Sequence, residues 1–477
     1  FKRQKVKFRK LLILPIFKHL KTFLFLLEVT IYISYNQFYR GGIFLNSKIL
    51  VTIIMIVSAT LGLYIGINQV SSQKEGTKDV FNPNIETSGD FSSGDITPIS
   101  GDSGDIQPSG EDIKSGEEPS EIIDTPKTSR ISMPENFKAT YMTGWGAGTK
   151  SIRESVIKTM KEYGFNAIVL DIKDEGGQLS YNSKVQTAID IGASRNMIRD
   201  IDAVLKEFHD NGIYVVGRIV TFKDPIYAGS VKTTVAYKKA DGTTWKDYSG
   251  KAWPNPYNEN SWEYPIALAK EAADLGFDEI QFDYIRFPSS EGKVREIAYG
   301  FNSATASKAD TICAYLTKVM QELAPYNIPI SADVFGITTK RDGDFENIGQ
   351  DFARISGIVD VVCPMVYPSH YANNEYKIAK PDLAPYDTIY RALQDAQKRL
   401  LVYSGDSSAK VASIRPYLQD FTASWLGKGN YQTYGTDQVA KQIQATYDLG
   451  LKDFTLWDPS NKYCYDAITK VTMKTEE

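Results

Sequence analysis

Three aspartates lie where an acid is poor structural material. Asp171, Asp283 and Asp333 each follow an apolar run that reads as a buried strand. A carboxylate there is costly to bury unless it is paired or protonated. Two such carboxyls at one site, one protonated and one ionised, are the equipment for cleaving a glycosidic bond. The stretch from Gly276 to Pro288, GFDEIQFDYIRFP, concentrates this chemistry. Strand alternation sends Gln281, Asp283 and Ile285 to one face, and Phe282, Tyr284 and Arg286 to the other. Pro288 has no N–H to give a ladder, so the strand is expected to stop there.

The elements that must position these acids recur along the chain. From Asn136 onward, apolar strand-like runs alternate with amphipathic helix-like runs, the pattern of βα units on a parallel sheet. The strands are read at 139–144, 167–173, 214–221, 276–288, 329–336, 359–367, 411–418 and 454–457. The helices are read at 151–163, 197–211, 261–275, 304–323, 345–355, 387–399 and 437–449. Gly164, Gly212, Gly276 and Gly450 sit where a helix should end before a strand. Eight units predict an α/β fold of the (β/α)8 TIM-barrel type, with a doubly wound open sheet as the alternative.

In such a barrel the chemistry gathers at the C-terminal ends of the strands. Those ends carry Trp145, Asp171, Arg218, Asp283, Arg286, Asp333, Tyr367, His370, Arg415 and Trp457. Aromatic faces match the apolar face of a sugar ring. Trp145, Tyr367 and Trp457, with His370, Asp171 and Arg286, are therefore read as substrate-binding. The connector 222–260 is long and carries Trp245 and Trp253. It is read as a substrate-binding loop, against the alternative of a small hairpin packed on its own aromatics. The glycines of Gly144-x-Gly146-x-Gly148 lack dinucleotide-loop spacing. They are expected to let the backbone pass close to substrate.

Other chemistries find less support. The histidines, His19, His209 and His370, are scattered, and no G-x-S-x-G elbow is present. Cys313, Cys363 and Cys464 are far apart and give no metal spacing or disulfide framework. Neither a metal nor a cofactor is expected.

The Gly276–Pro288 stretch, together with PMVYPSHY from Pro364 to Tyr371, resembles the glycosyl hydrolase family first catalogued as a domain of unknown function. The resemblance spans about Phe137 to Pro459. It implies a (β/α)8 barrel similar to the α-amylase clan, whose nucleophile is an Asp ending strand four. Carried over, Asp283 is the nucleophile and Asp333 the acid/base. Related barrels place the acid on strand six, where this chain has Tyr367 and His370 but no carboxylate. The chitinase-type signature Asp-x-x-Asp-x-Asp-x-Glu is only partly matched. Gln281 replaces its middle Asp and Ile285 its Glu, so that mechanism is set aside. A barrel that binds wall or capsule polysaccharide without turning it over is the alternative from another class.

The rest of the chain reads as a delivery apparatus. Residues 1–44 carry nine Lys/Arg and one acidic residue, Glu28. They are read either as upstream sequence translated in frame before a start at Leu45, or as a basic arm. Residues 45–70 read as a signal anchor: Ile49–Ile67 has 19 residues and no charge, enough to cross about 30 Å of hydrocarbon. Residues 71–133 are rich in Ser, Gly, Asp, Glu and Pro and read as a disordered linker. The domain is placed at 134–477, outside the cytoplasm on a Gram-positive type of cell surface. Residues 45–477 hold 45 basic and 57 acidic residues, a net charge of -12 that argues against a nucleic-acid partner. Limited proteolysis of the full chain should therefore cut within 71–133 and leave a resistant fragment of about 340 residues. A resistant fragment that retains the linker would contradict that organisation.

Overall fold

The computed structural model describes residues 129–230, 237–238, 240–289, 293–405 and 411–473. Ile49–Ile67 and most of the linker lie outside the described residues, and among the latter no helix is long and apolar enough to cross a membrane. Eight parallel strands close into a barrel. They are β1 (Lys138–Met142), β2 (Ala167–Lys173), β3 (Tyr214–Val220), β4 (Glu279–Asp283), β5 (Ile330–Phe335), β6 (Val361–Met365), β7 (Ser413–Ile414 continuing at Tyr417–Gln419) and β8 (Phe454–Trp457). Each strand pairs with the next, and β8 pairs with β1 through Lys138 and Phe454. That last pairing removes both edges and excludes the open sheet. Pro416 splits β7, because it has no N–H for the ladder.

The main helices are α1 (Lys150–Tyr163), α2 (Ile201–Asp210), α3 (Glu263–Leu275), α4 (Lys308–Leu323), α5 (Phe352–Ser356), α6 (Pro385–Ser404) and α7 (Thr436–Asp448). A 3-10 turn at Tyr465–Lys470 takes the place of an eighth. Gly164 ends α1 and Gly276 ends α3, both in the left-handed conformation that a Cβ disfavours. The apolar core lies between strands and helices. Ile168, Leu170, Val215, Ile280, Phe282, Val362 and Leu456 point outward into it.

The other strand face fills the barrel, and it is unusually polar. At the base, Glu279 is fully buried and accepts from Arg415 Nη1 at 3.0 Å and from Arg415 Nη2. Ser331 Oγ donates to the same carboxylate at 2.5 Å, and Arg415 covers the Phe137 ring at 4.0 Å. One layer up, Tyr417 OH donates to Gln281 Oε1 at 2.5 Å, and Gln281 Nε2 faces Cys363 Sγ at 3.4 Å. The uppermost layer holds Asp171, Arg218, Asp283 and Asp333.

At the opposite end of the barrel Asp278 gathers the incoming chain. Its Oδ1 accepts from Ile131 N at 2.7 Å, and its Oδ2 accepts from Val215 N at 2.7 Å beside His209 Nε2 at 2.8 Å. Arg130 donates to the carbonyls of Tyr326 and Asn327.

Removing one member of a buried ion pair strands the other. Arg415→Met should therefore lower unfolding stability by about 3–5 kcal/mol, read from denaturant titration. An unchanged midpoint would mean that Glu279 finds another partner.

Candidate active site at the carboxyl ends of the strands

β4 ends sooner than its sequence suggests. The last paired residue is Asp283, and Tyr284 takes φ +50°. That conformation is costly for a bulky residue and persists only where the surrounding structure over-determines it. The turn lets the Tyr284 N–H donate to Asp283 Oδ1 at 2.5 Å. It also cancels the expected alternation beyond Asp283: Ile285 joins Phe282 in the outer core, while Arg286 lines the cleft with Asp283. Pro288 is not what stops the strand.

Arg218, on β3, is the residue around which the mouth is built. Its Nε and Nη2 donate to Asp283 Oδ2 at 3.1 and 2.6 Å, while Nη1 donates to Asp171 Oδ1 at 2.6 Å. Tyr141 OH donates to the other Asp171 oxygen at 2.5 Å. Burial opposes the guanidinium's charge, but the two carboxylates outweigh it and hold its pKa well above the ordinary value. Asp171 is pushed up to about 6 by burial, against the pull of Arg218 and Tyr141. Asp171 does not line the cleft; it clamps the arginine. Strand-end position alone pointed to Arg218, but its part in holding Asp283 was not legible. Arg286, read from the sequence as substrate-binding, lines the cleft but makes no bond to Asp283.

The register sets Phe282 opposite Ala332, so Asp283 and Asp333 are the next residues on adjacent strands. Neighbouring strands lie about 4.8 Å apart. Asp333 is 1 % exposed, and its Oδ1 has no hydrogen-bond partner. Burial, and then the charge of Asp283, hold its pKa well above the usual carboxylate range. Of the two carboxyls, Asp333 is thus the one whose surroundings favour the protonated form.

Both carboxyls open onto a cleft of about 710 Å³ that Arg286, Tyr367, His370, Tyr417 and Trp457 also line. Trp457 packs against Tyr141 with ring centres 4.1 Å apart, and Arg218 covers its face at 5.3 Å. Beyond His370 an aromatic shelf continues: Trp425, 65 % exposed, stacks on Phe421 at 5.8 Å and meets the His370 ring at 6.4 Å. This shelf was missed in the sequence, because β7 was read only to residue 418 and the loop after it was given no role.

Four expectations are corrected. Trp245 is fully buried and donates to the Lys293 carbonyl at 3.0 Å. Trp253 is 3 % exposed and donates to Asp247 Oδ2 at 3.1 Å. The connector therefore packs on its own aromatics, with Tyr237–Lys238 pairing antiparallel to Ile297–Ala298, and does not offer these rings to substrate. Trp145 is exposed but is not among the residues lining the cleft. The Gly144–Gly148 segment forms a short helix. A Cβ on Gly148 would lie 1.9 Å from the Met197 carbonyl oxygen, so that glycine serves packing against a neighbouring loop. The segment before α5, expected to be helical from 345, instead turns at Asp344, whose carboxylate accepts from the Ile348 and Gly349 amides.

Residues 139–463 match the family model described as "Putative glycosyl hydrolase domain". The chain belongs to that family. Membership classes it with the glycoside hydrolases, as the sequence resemblance implied. No curated protein matches it. Among solved structures, a hypothetical protein from Ruminiclostridium thermocellum is 37% identical over 41% of this chain and 97% of its own, with a TM-score of 0.38. The PgaB (BpsB) glycoside hydrolase domain from Bordetella bronchiseptica is 12% identical over 72% of this chain and 99% of its own, with a TM-score of 0.51, a likeness of fold. A class V chitininase from Pseudomonas fluorescens is 12% identical over 70% and 98%, with a TM-score of 0.41.

Because the charge of Asp283 helps to hold the Asp333 proton, Asp283→Asn should make Asp333 titrate at lower pH than in the wild type. Carbon-13 NMR of labelled aspartate reads this directly. An unmoved Asp333 would mean that burial alone sets its proton affinity.

Proposed function

We propose that the protein is a membrane-tethered, extracytoplasmic glycoside hydrolase that cleaves a polysaccharide with Asp283 and Asp333. The observation that carries this reading is the asymmetry of the pair. One carboxyl is bonded to a guanidinium, and its neighbour is buried with a bare oxygen and a raised pKa. Environments that push two adjacent carboxyls apart assign acid and nucleophile.

In the first step the Asp333 proton passes to the glycosidic oxygen as the bond to the anomeric carbon breaks. Asp283 attacks that carbon from the other face and forms a glycosyl ester. Water, deprotonated by the now ionised Asp333, then releases the sugar and restores both groups. Arg218 keeps the Asp283 carboxylate in one orientation throughout. Trp457 and Tyr367 offer ring faces for the sugar undergoing cleavage, and the Trp425–Phe421 shelf receives a further unit along the chain. The tether is Ile49–Ile67, supported by its length and lack of charge.

A reducing-end assay of the full chain on wall, capsule and plant polysaccharides tests the reading. Asp283→Asn should abolish release while leaving the fold and glycan binding intact. Asp333→Asn should slow it by about 10²–10⁴-fold, with partial recovery on substrates bearing good leaving groups. Products should retain anomeric configuration. Full activity in Asp283→Asn would remove the assignment, and binding without any release of reducing ends would make the barrel a receptor.

A further inference from the structure

Arg286 differs from the other arginines of the cleft, Arg218 and Arg341, which are each paired with a carboxylate. It is 7 % exposed, yet it lines the cleft wall. Its Nη1 is used on the Phe287 carbonyl at 3.0 Å and on Ser289 Oγ at 3.2 Å. Its Nε is buried with no partner. No carboxylate among the described residues bonds to it. Asp283, whose charge reaches it, has Oδ2 occupied by Arg218 and Oδ1 by the Tyr284 amide.

What surrounds the guanidinium instead is aromatic. It lies 5.1 Å from the Trp253 ring centre, 4.9 Å from Tyr284 and 4.7 Å from Phe335. Rings soften the burial of a cation but accept few of its N–H groups. Burial presses on its charge, lowering its pKa. The contrast with Arg218 and Arg415 is direct, since each of those buried guanidiniums is matched by carboxylate within the fold. A buried guanidinium with an unused donor beside a binding cleft is arranged for an anion that arrives with the ligand.

We propose that Arg286 receives a carboxylate of the substrate, so that the glycan handled by this cleft contains an acidic sugar of the hexuronic type. The inference rests on the hydrolytic reading of the same cleft. Recognition is local, one guanidinium to one carboxylate. Glu175 and Glu346 also line the cleft, so it has no broad positive field to gather polyanions. The Trp253 connector acquires a role here as well: it does not touch sugar, but it forms one wall of the ring cage that holds Arg286.

The test pairs each acidic probe with its neutral twin. Oligogalacturonates and hyaluronan oligosaccharides are compared with their carboxyl-reduced forms, for binding by calorimetry and for release of reducing ends, using the full chain. In the wild type at least one carboxylated member should bind about tenfold or more tightly than its reduced twin. Arg286→Gln should erase that difference, and Arg286→Lys should keep part of it. Circular dichroism confirms that both variants are folded. Equal affinity within every pair, including no binding of either member, overturns the proposal, as does a preference that survives in Arg286→Gln. An equal loss of turnover on both members in that variant also overturns it, because Arg286 would then be supporting Asp283. A carboxylate preference without any bond cleavage would leave this proposal standing and remove the hydrolytic reading.

Discussion

A single guanidinium shared between two buried carboxylates sets the geometry of the mouth. Arg218 reaches Asp283 on one side and Asp171 on the other, and the planar fork fixes both at once. Everything above it inherits that placement. Tyr141 closes on the far oxygen of Asp171, Trp457 packs on Tyr141, and the tyrosine and indole rings together cover the arginine. Asp333, one strand over, is left without a cation of its own, and its buried oxygen stays bare. Two acids of the same type thus differ because one guanidinium is within reach of the first and not of the second.

The barrel beneath is built to tolerate this. Interiors of this fold are usually filled by branched aliphatic side chains in layers. Here the base layer is an ion pair with a serine on it, and the middle layer is an amide held by a tyrosine. Glu279, Ser331, Gln281 and Tyr417 each bond to a neighbour from another strand, so these layers also fix strand position. Buried networks of this kind specify one arrangement when complete and are costly when incomplete. Most of the apolar core lies on the other strand face, where Ile168, Leu170, Ile280, Phe282 and Leu456 meet the helices, with a smaller cluster of Ala139, Ala167, Val169 and Val216 inside the barrel.

The fold was legible because its signals are local. β2 and β8 lie at the residues read from pattern alone, and Gly164 and Gly276 mark helix ends as expected. The two cleft carboxyls were legible for a related reason: an acid following a run of β-branched and aromatic residues violates strand preference. What could not be read was partnership. Arg218 and Arg286 are both arginines near strand ends, and only the closed barrel tells that one is bonded to Asp283 and the other is caged by rings. Tryptophans misled in the same way. Trp245 and Trp425 have equal claims as sugar platforms in a list of residues, but one is sealed beneath a hairpin and the other stands exposed. The bend at Tyr284 was hidden because nothing in its residue type favours a positive φ.

Asp278 has a consequence for how the molecule can be held. The chain arriving at Arg130 and Ile131 is fastened to the closed end of the barrel, where the strands begin. The carboxyls lie where the strands finish, so the point of attachment and the working end are opposite poles of one short cylinder. A pull on the N-terminal side of Arg130 is borne by Asp278 and by the carbonyls before β5, without passing through the mouth. A load arriving from that side is therefore taken up at the closed end, and the open rim is spared it.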